Sequence, residues 1–257
     1  MTNKSAIQFK HVQKKYGQNI IIPDLSFEIM SGEFITILGS SGSGKTTTLK
    51  MINQLIKPTS GEILINNKNI KTLDVINLRR QMGYVVQEIG LFPHMSISDN
   101  IAIVPKLLKW ETPVITQRII ELLDLVGLPA NKYATRSPNQ LSGGQQQRIG
   151  VARALAANPN FVLFDEPFGA IDALTRLKMQ SEIKQIHGNL HTKTFLFVTH
   201  DINEAFALGD RVMIMHNGRI EQFDRPLNIV KNPASSFVKD LMKTVQKQQS
   251  LWRHLSD

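Results

Sequence analysis

Three groups of residues have the types and spacing to do chemistry on a phosphate. Gly39-Ser40-Ser41-Gly42-Ser43-Gly44-Lys45-Thr46 follows the pattern Gly, four residues, Gly-Lys-Ser/Thr. Glycines let successive backbone N–H groups converge on phosphate oxygens, and the positive end of a following helix faces the same anion. Lys45 would reach the β- and γ-phosphates of a nucleoside triphosphate, and the Thr46 hydroxyl would bind Mg²⁺. The apolar run Phe161-Val162-Leu163-Phe164 ends in Asp165-Glu166. Two adjacent carboxylates after a buried strand are costly unless they bind metal or do acid–base work. Asp165 suits the Mg²⁺ shell and Glu166 suits polarising a water. Ser142-Gly143-Gly144-Gln145 opens a helix. It is read either as a second anion site or as an ordinary serine cap.

These residues need elements to hold them. Phe34–Leu38 reads as a buried strand and Thr46–Ile56 as a helix with Leu49, Ile52 and Leu55 at helical spacing, which puts the glycine-rich loop between strand and helix. Residues 1–30 alternate as an antiparallel start, with Tyr16 in a turn. Its ring could stack on a base or pack locally. Glu62–Asn66 and Gly83–Gln87 read as strands, with a short helix over 72–81 between them. Gln87 at a strand end can ligate Mg²⁺ or hold an attacking water. Residues 88–157 change to Leu-rich helical periodicity punctuated by five prolines, which predicts a helical subdomain inserted into an α/β core. Asp172 could cap the helix that follows it. Phe195–Val198 is a buried strand ending in Thr199-His200-Asp201. His200 lies where α/β sheets place ligands, or is a surface histidine. Asp201 and Glu204 have the spacing of a capping box. Arg211–Met215 and Arg219–Phe223 form a hairpin around His216-Asn217-Gly218. Residues 226–246 read as helical and the polar tail 247–257 as frayed.

The 257 residues are 42% hydrophobic, enough for a proper core, and contain no cysteine, which excludes disulfides and thiolate chemistry. No run approaches the ~18 apolar residues of a membrane span, so a membrane role is expected to come through a partner. The net charge of +9 fits an anionic ligand or simply a lysine-rich surface. No dense basic tract with interleaved aromatics accompanies it, so no nucleic-acid partner is expected.

In this order, the motifs resemble those of the ATPase subunit of an ATP-binding-cassette transporter, from about Ile7 to Val230. Gly39–Thr46 matches Walker A, Gln87 the Q-loop glutamine, Leu141–Gln145 the signature, and Phe161–Glu166 Walker B with its catalytic glutamate. Asp172 matches the D-loop aspartate, His200 the switch histidine, and Tyr16 the adenine-stacking position. The resemblance implies an α/β fold with a P-loop (RecA-like) core, an antiparallel β subdomain and an inserted α-helical subdomain. One ATPase domain over 1–246 is expected, with the core at about 1–87 and 158–246 and helices at about 88–157. ATP and Mg²⁺ are the implied cofactors, with Thr47 beside Thr46 on the nucleotide. Glu166, His200 and Gln87 are the implied catalytic residues, and Thr46, Gln87 and Asp165 the metal ligands.

Implied partners are a second ATPase subunit, whose Ser142, Gly143, Gly144 and Gln145 complete each site in trans, integral-membrane permease subunits, and indirectly a substrate-binding protein. The implied location is the cytoplasmic face of the cell membrane. Pro167-Phe168-Gly169-Ala170 is similar to importers. The stretches Glu88–Met95 and Asn100–Trp110 are similar to importers of quaternary amines such as glycine betaine, carnitine or choline. Many of those ATPases carry paired CBS modules after the cassette, and this chain is expected to lack them. Ile171 stands where leucine is usual, a volume-conserving change. An ATPase for another small solute such as an amino acid, a cassette acting on nucleic acid and a silent nucleotide-binding regulator are the alternatives. Glu166 and His200 argue against the last.

Overall fold

The computed structural model describes residues 4–86, 90–169, 172–244 and 247. The chain forms two compact units, residues 1–70 with 197–257, and residues 71–196.

In the first unit, β1 (Ser5–Tyr16) pairs antiparallel with β2 (Asn19–Met30) and with β4 (Ser60–Ile65), and the short β5 (Lys68–Asn69) pairs with β4. Alternation packs Phe9 on Phe27, with ring centroids 4.4 Å apart. The turn between β1 and β2 is only Gly17-Gln18, so Tyr16 belongs to the strand rather than to the turn expected from sequence. β3 (Phe34–Gly39) runs parallel to β9 (Arg211–His216), which pairs antiparallel with β10 (Arg219–Asp224). The β9–β10 turn is Asn217-Gly218, both at positive φ (46° and 73°) as a type I′ hairpin requires. The second half of β8 (Thr194–Thr199) lies on the other side of β3. Leu38, Val212 and Ile214 from these strands bury against Ala205 of the helix Ile202–Leu208, Ile229 of the helix Pro226–Lys231, and Val238 and Met242 of the segment 236–244. Residues 245, 246 and 248–257, which hold most of the expected tail, lie outside the described residues.

The helix after β3, α1, spans Lys45–Ile52 and stops four residues short of the expected end. Gln54 takes a left-handed φ of 54° and its amide donates to the Met51 carbonyl, which closes the helix. The Asn53 side chain fixes this end by accepting from Leu55 N at 3.1 Å. Leu49 and Ile52 are fully buried, each contributing roughly 1.5–3 kcal/mol, whereas Leu55 falls beyond the helix and is exposed.

In the second unit, α2 (Val75–Arg80) is capped by Asp74 and leads into β6 (Met82–Val85), which is parallel to β7 (Phe161–Asp165). Between residues 90 and 157 the described elements are α3 (Ile97–Leu107), α4 (Thr112–Leu125), α5 (Ala130–Tyr133), a 3-10 turn and α6 (Gly143–Leu155). Asn100, fully buried, ties residues 92–96 to α3: its Oδ1 accepts from Phe92 N at 2.8 Å and its Nδ2 donates to three carbonyls. α6 presses so closely on β6 that a Cβ at Gly83 would meet the Ala154 carbonyl oxygen at 2.4 Å. α7 (Ala173–Asn189) is joined to α6 by Arg148–Glu182, at 2.9 Å.

Candidate functional site

The glycine-rich loop in the first unit is shaped by its backbone. Gly42 and Gly44 have φ of 78° and 98°, a region that strongly favours glycine. Gly39 lies opposite Met215 of β9, and a Cβ there would come 2.4 Å from the Met215 carbonyl oxygen. Ser43 N donates to Ser40 O at 3.2 Å, closing a tight turn. Lys45, only 4% exposed, folds back so that its ammonium donates to the carbonyls of Gly39 (2.8 Å) and Ser40 (2.9 Å). The end of the lysine side chain is therefore held on the loop itself. The Ser43 hydroxyl is buried in the loop with no hydrogen-bond partner. Such a group is costly to leave unmet and fits a polar ligand. Ser41 is exposed, and Thr46 and Thr47 are half-buried on the first turn of α1. Thr48 turns inward to donate to Gly44 O at 2.9 Å.

Tyr16 ends β1 half exposed, and the Lys14 ammonium sits 4.4 Å from its ring centroid. His200 is exposed immediately after β8. The expected Asp201/Glu204 capping box takes a different form. Asp201 Oδ1 does accept from Asn203 N and Glu204 N. The buried Glu204 carboxylate instead accepts from the Thr199 hydroxyl at 2.5 Å, whose oxygen takes the Asp201 amide at 3.0 Å. Three hydrogen-bonding groups thus brace the backbone on both sides of His200.

In the second unit, Asp165 ends β7 at 8% exposure and accepts a hydrogen bond from Tyr84 Oη at 2.9 Å. Burial first, then the Asp165 charge and this bond, push the Tyr84 phenol well above its ordinary value. Glu166 takes φ of 48°, a left-handed conformation uncommon outside glycine and frequent where strain is stored at functional positions. Ser142 caps α6 in a reciprocal box: its hydroxyl accepts from Gln145 N at 3.4 Å, and Gln145 Oε1 accepts from Ser142 N at 3.0 Å. Gly143 has open space around it, whereas a Cβ on Gly144 would meet Thr175 Cγ2 of α7 at 2.6 Å. Asp172 caps α7 by accepting from Thr175 N at 3.0 Å, and that hydrogen bond holds its carboxyl below the usual range. The starts of α6 and α7 therefore lie against each other. Gln87 lies outside the described residues, as do Glu88, Ile89, Ala170 and Ile171.

Strand, glycine-rich loop and lysine-led helix make this a phosphate-loop α/β fold. The ABC transporter family model matches residues 22–169, and the chain belongs to that family. It is 53% identical over 237 residues to a carnitine transport ATP-binding protein of Listeria monocytogenes, covering 92% of this chain and 59% of that protein's length. It is 49% identical over 233 residues to a glycine betaine uptake system ATP-binding protein of Escherichia coli, covering 91% of this chain and 75% of the relative. A dimeric ATP-binding cassette solved in a post-hydrolysis state with ADP and Pi superposes with a TM-score of 0.73 at 36% identity, covering 86% of this chain and 98% of that one. Among the described residues no helix is long and apolar enough to cross a membrane.

Several features escaped the sequence. The Tyr84–Asp165 bond links residues 81 positions apart. Its only signal was a tyrosine on the strand beside the acid pair. The Thr199–Glu204 bond was masked by the stronger pattern of a capping box.

Proposed function

We propose that this chain is the ATP-hydrolysing subunit of an importer for a quaternary amine osmoprotectant such as glycine betaine, carnitine or choline. The observation that carries nucleotide binding is the preshaped loop, with a buried lysine turned onto it and an unmet Ser43 hydroxyl inside it. Gly39 to Thr47 would hold the phosphates and Tyr16 would stack on adenine. Glu166 would polarise the attacking water, with His200 at the terminal phosphate and Gln87 beside the water. Two copies would close head to tail, the Ser142–Gln145 capping box of one meeting the nucleotide held by the other, with Asp172 next to it.

Thr46, Gln87 and Asp165 would supply oxygens for Mg²⁺. That ion is usually held by one or two carboxylates together with phosphates, which suits a single buried carboxylate beside neutral oxygens. When bound, it would neutralise charge on the β- and γ-phosphates. Loss of phosphate after hydrolysis would remove contacts and let the dimer reopen, a ligand-driven shift. Permease subunits would receive that motion at the cytoplasmic face of the membrane, with a substrate-binding protein acting through them. The relatives named for carnitine and for glycine betaine support the cargo.

The test is ATP hydrolysis by the chain assembled with its permease, with and without a loaded binding protein. Stimulation by at least one of the three amines is expected. Hydrolysis indifferent to all three refutes the cargo, and no hydrolysis refutes the enzyme.

A further inference from the structure

We infer that Tyr84 is a positioning residue for Asp165: it grips one carboxylate oxygen and so fixes the orientation the group presents to the metal of a metal–nucleotide complex. The inference rests on the reading of Asp165 as a metal ligand.

β6 and β7 are parallel, and Tyr84 lies opposite Leu163. Asp165 is two residues farther along, a step of about 6.6 Å that only a long side chain bridges. The tyrosine spans it, and Oη donates to Oδ2 at 2.9 Å. The terminal torsion of an aspartate is broad and roughly two-fold, so an unheld carboxylate samples several orientations. A directed donor on one oxygen selects among them. A carboxylate only accepts and the phenol has one O–H to give, so the tyrosine is the donor in this pair. Tyr84 also lines a cavity of about 350 Å³, with Arg79, Phe92, Val104 and Arg153 among its neighbours. Replacing tyrosine by phenylalanine keeps that wall and deletes only the oxygen.

The test measures metal binding without turnover. Mn²⁺ is titrated into the chain with an unhydrolysable ATP analogue, and free Mn²⁺ is read by electron paramagnetic resonance. Tyr84→Phe should raise the half-saturating Mn²⁺ concentration by roughly tenfold or more, the usual scale for losing a residue that orients a metal ligand. Metal-free analogue binding should match the parent, and the melting temperature should fall by no more than the few degrees that one lost hydrogen bond to a buried carboxylate costs. A half-saturating concentration within twofold of the parent overturns the inference. Tyr84→Met, which also lacks a donor, repeats the test if Tyr84→Phe melts early. Asp165→Asn separates the two readings: if it binds Mn²⁺ as the parent does, the assignment of Asp165 fails, and if it alone loses Mn²⁺, the role of Tyr84 fails.

Discussion

Placing one methyl group at the start of α6 tests how α6 and α7 are fitted. In Gly144→Ala the new Cβ would lie 2.6 Å from Thr175 Cγ2, and the next nearest atom, Thr175 Cβ, is 4.0 Å away. Carbon atoms are comfortable at about 3.5–4.0 Å, so roughly 1 Å of overlap must be relieved. Overpacking of this kind costs about 1–3 kcal/mol, while alanine in place of helical glycine returns up to about 1 kcal/mol. The single variant should therefore be destabilised by up to about 3 kcal/mol. Thr175→Ser removes the one clashing atom and keeps the backbone amide that Asp172 caps. The double variant should recover the loss, with a coupling of about 1–3 kcal/mol in a double-mutant cycle. Urea unfolding of the four proteins, compared at constant slope, measures it. If Gly144→Ala alone raises stability, or the coupling is below about 0.5 kcal/mol, close helix packing is not why glycine stands there.

Glu166→Gln should bind ATP and Mg²⁺, lose most turnover and accumulate as a dimer on a sizing column with ATP. Normal turnover would refute Glu166 as the base. Lys45→Ala should weaken ATP binding by roughly 1.5–3 kcal/mol, the scale of a charge-assisted hydrogen bond, in a calorimetric titration, and unchanged affinity would contradict the reading of the loop. Asp99 is held below its ordinary value first by its hydrogen bond from Lys106 and then by that from Ser96. A carboxyl depressed on folding stabilises above its unfolded value, near 3.9, and loses that effect as pH falls through the lower folded value. Asp99→Asn should thus melt below the parent at pH 6, with the gap closing toward pH 3, and a gap independent of pH would argue against the ion pair.

The phosphate loop was legible because its residue types have few other uses: glycines at Gly42 and Gly44 meet positive φ, and the lysine follows at once. The strands flanking it were legible as unbroken apolar runs, and the hairpin as Asn217-Gly218. Local signals failed where a distant partner or a competing local conformation decided the outcome. α1 ends at Ile52 because Gln54 turns left-handed, which no residue pattern announced. Glu204 pairs with Thr199 although its spacing from Asp201 spells a cap. Tyr84 reaches Asp165 across two strands, a relation fixed by register.

The Met215 backbone against Gly39 has a consequence for how a ligand would be received. The same residue's sulfur lies 4.0 Å from the Thr48 hydroxyl, and its terminal carbon would stand 3.6 Å from a Cβ on Gly44. One methionine thus braces the loop from behind at its first glycine, its last glycine and the helix that follows. The conformational entropy of this loop is surrendered when the chain folds, so an arriving anion would meet a finished mould and spend little of its binding energy on ordering it. Oxidising that sulfur would set a polar oxygen against the back of the mould and loosen it without touching a single phosphate-facing group.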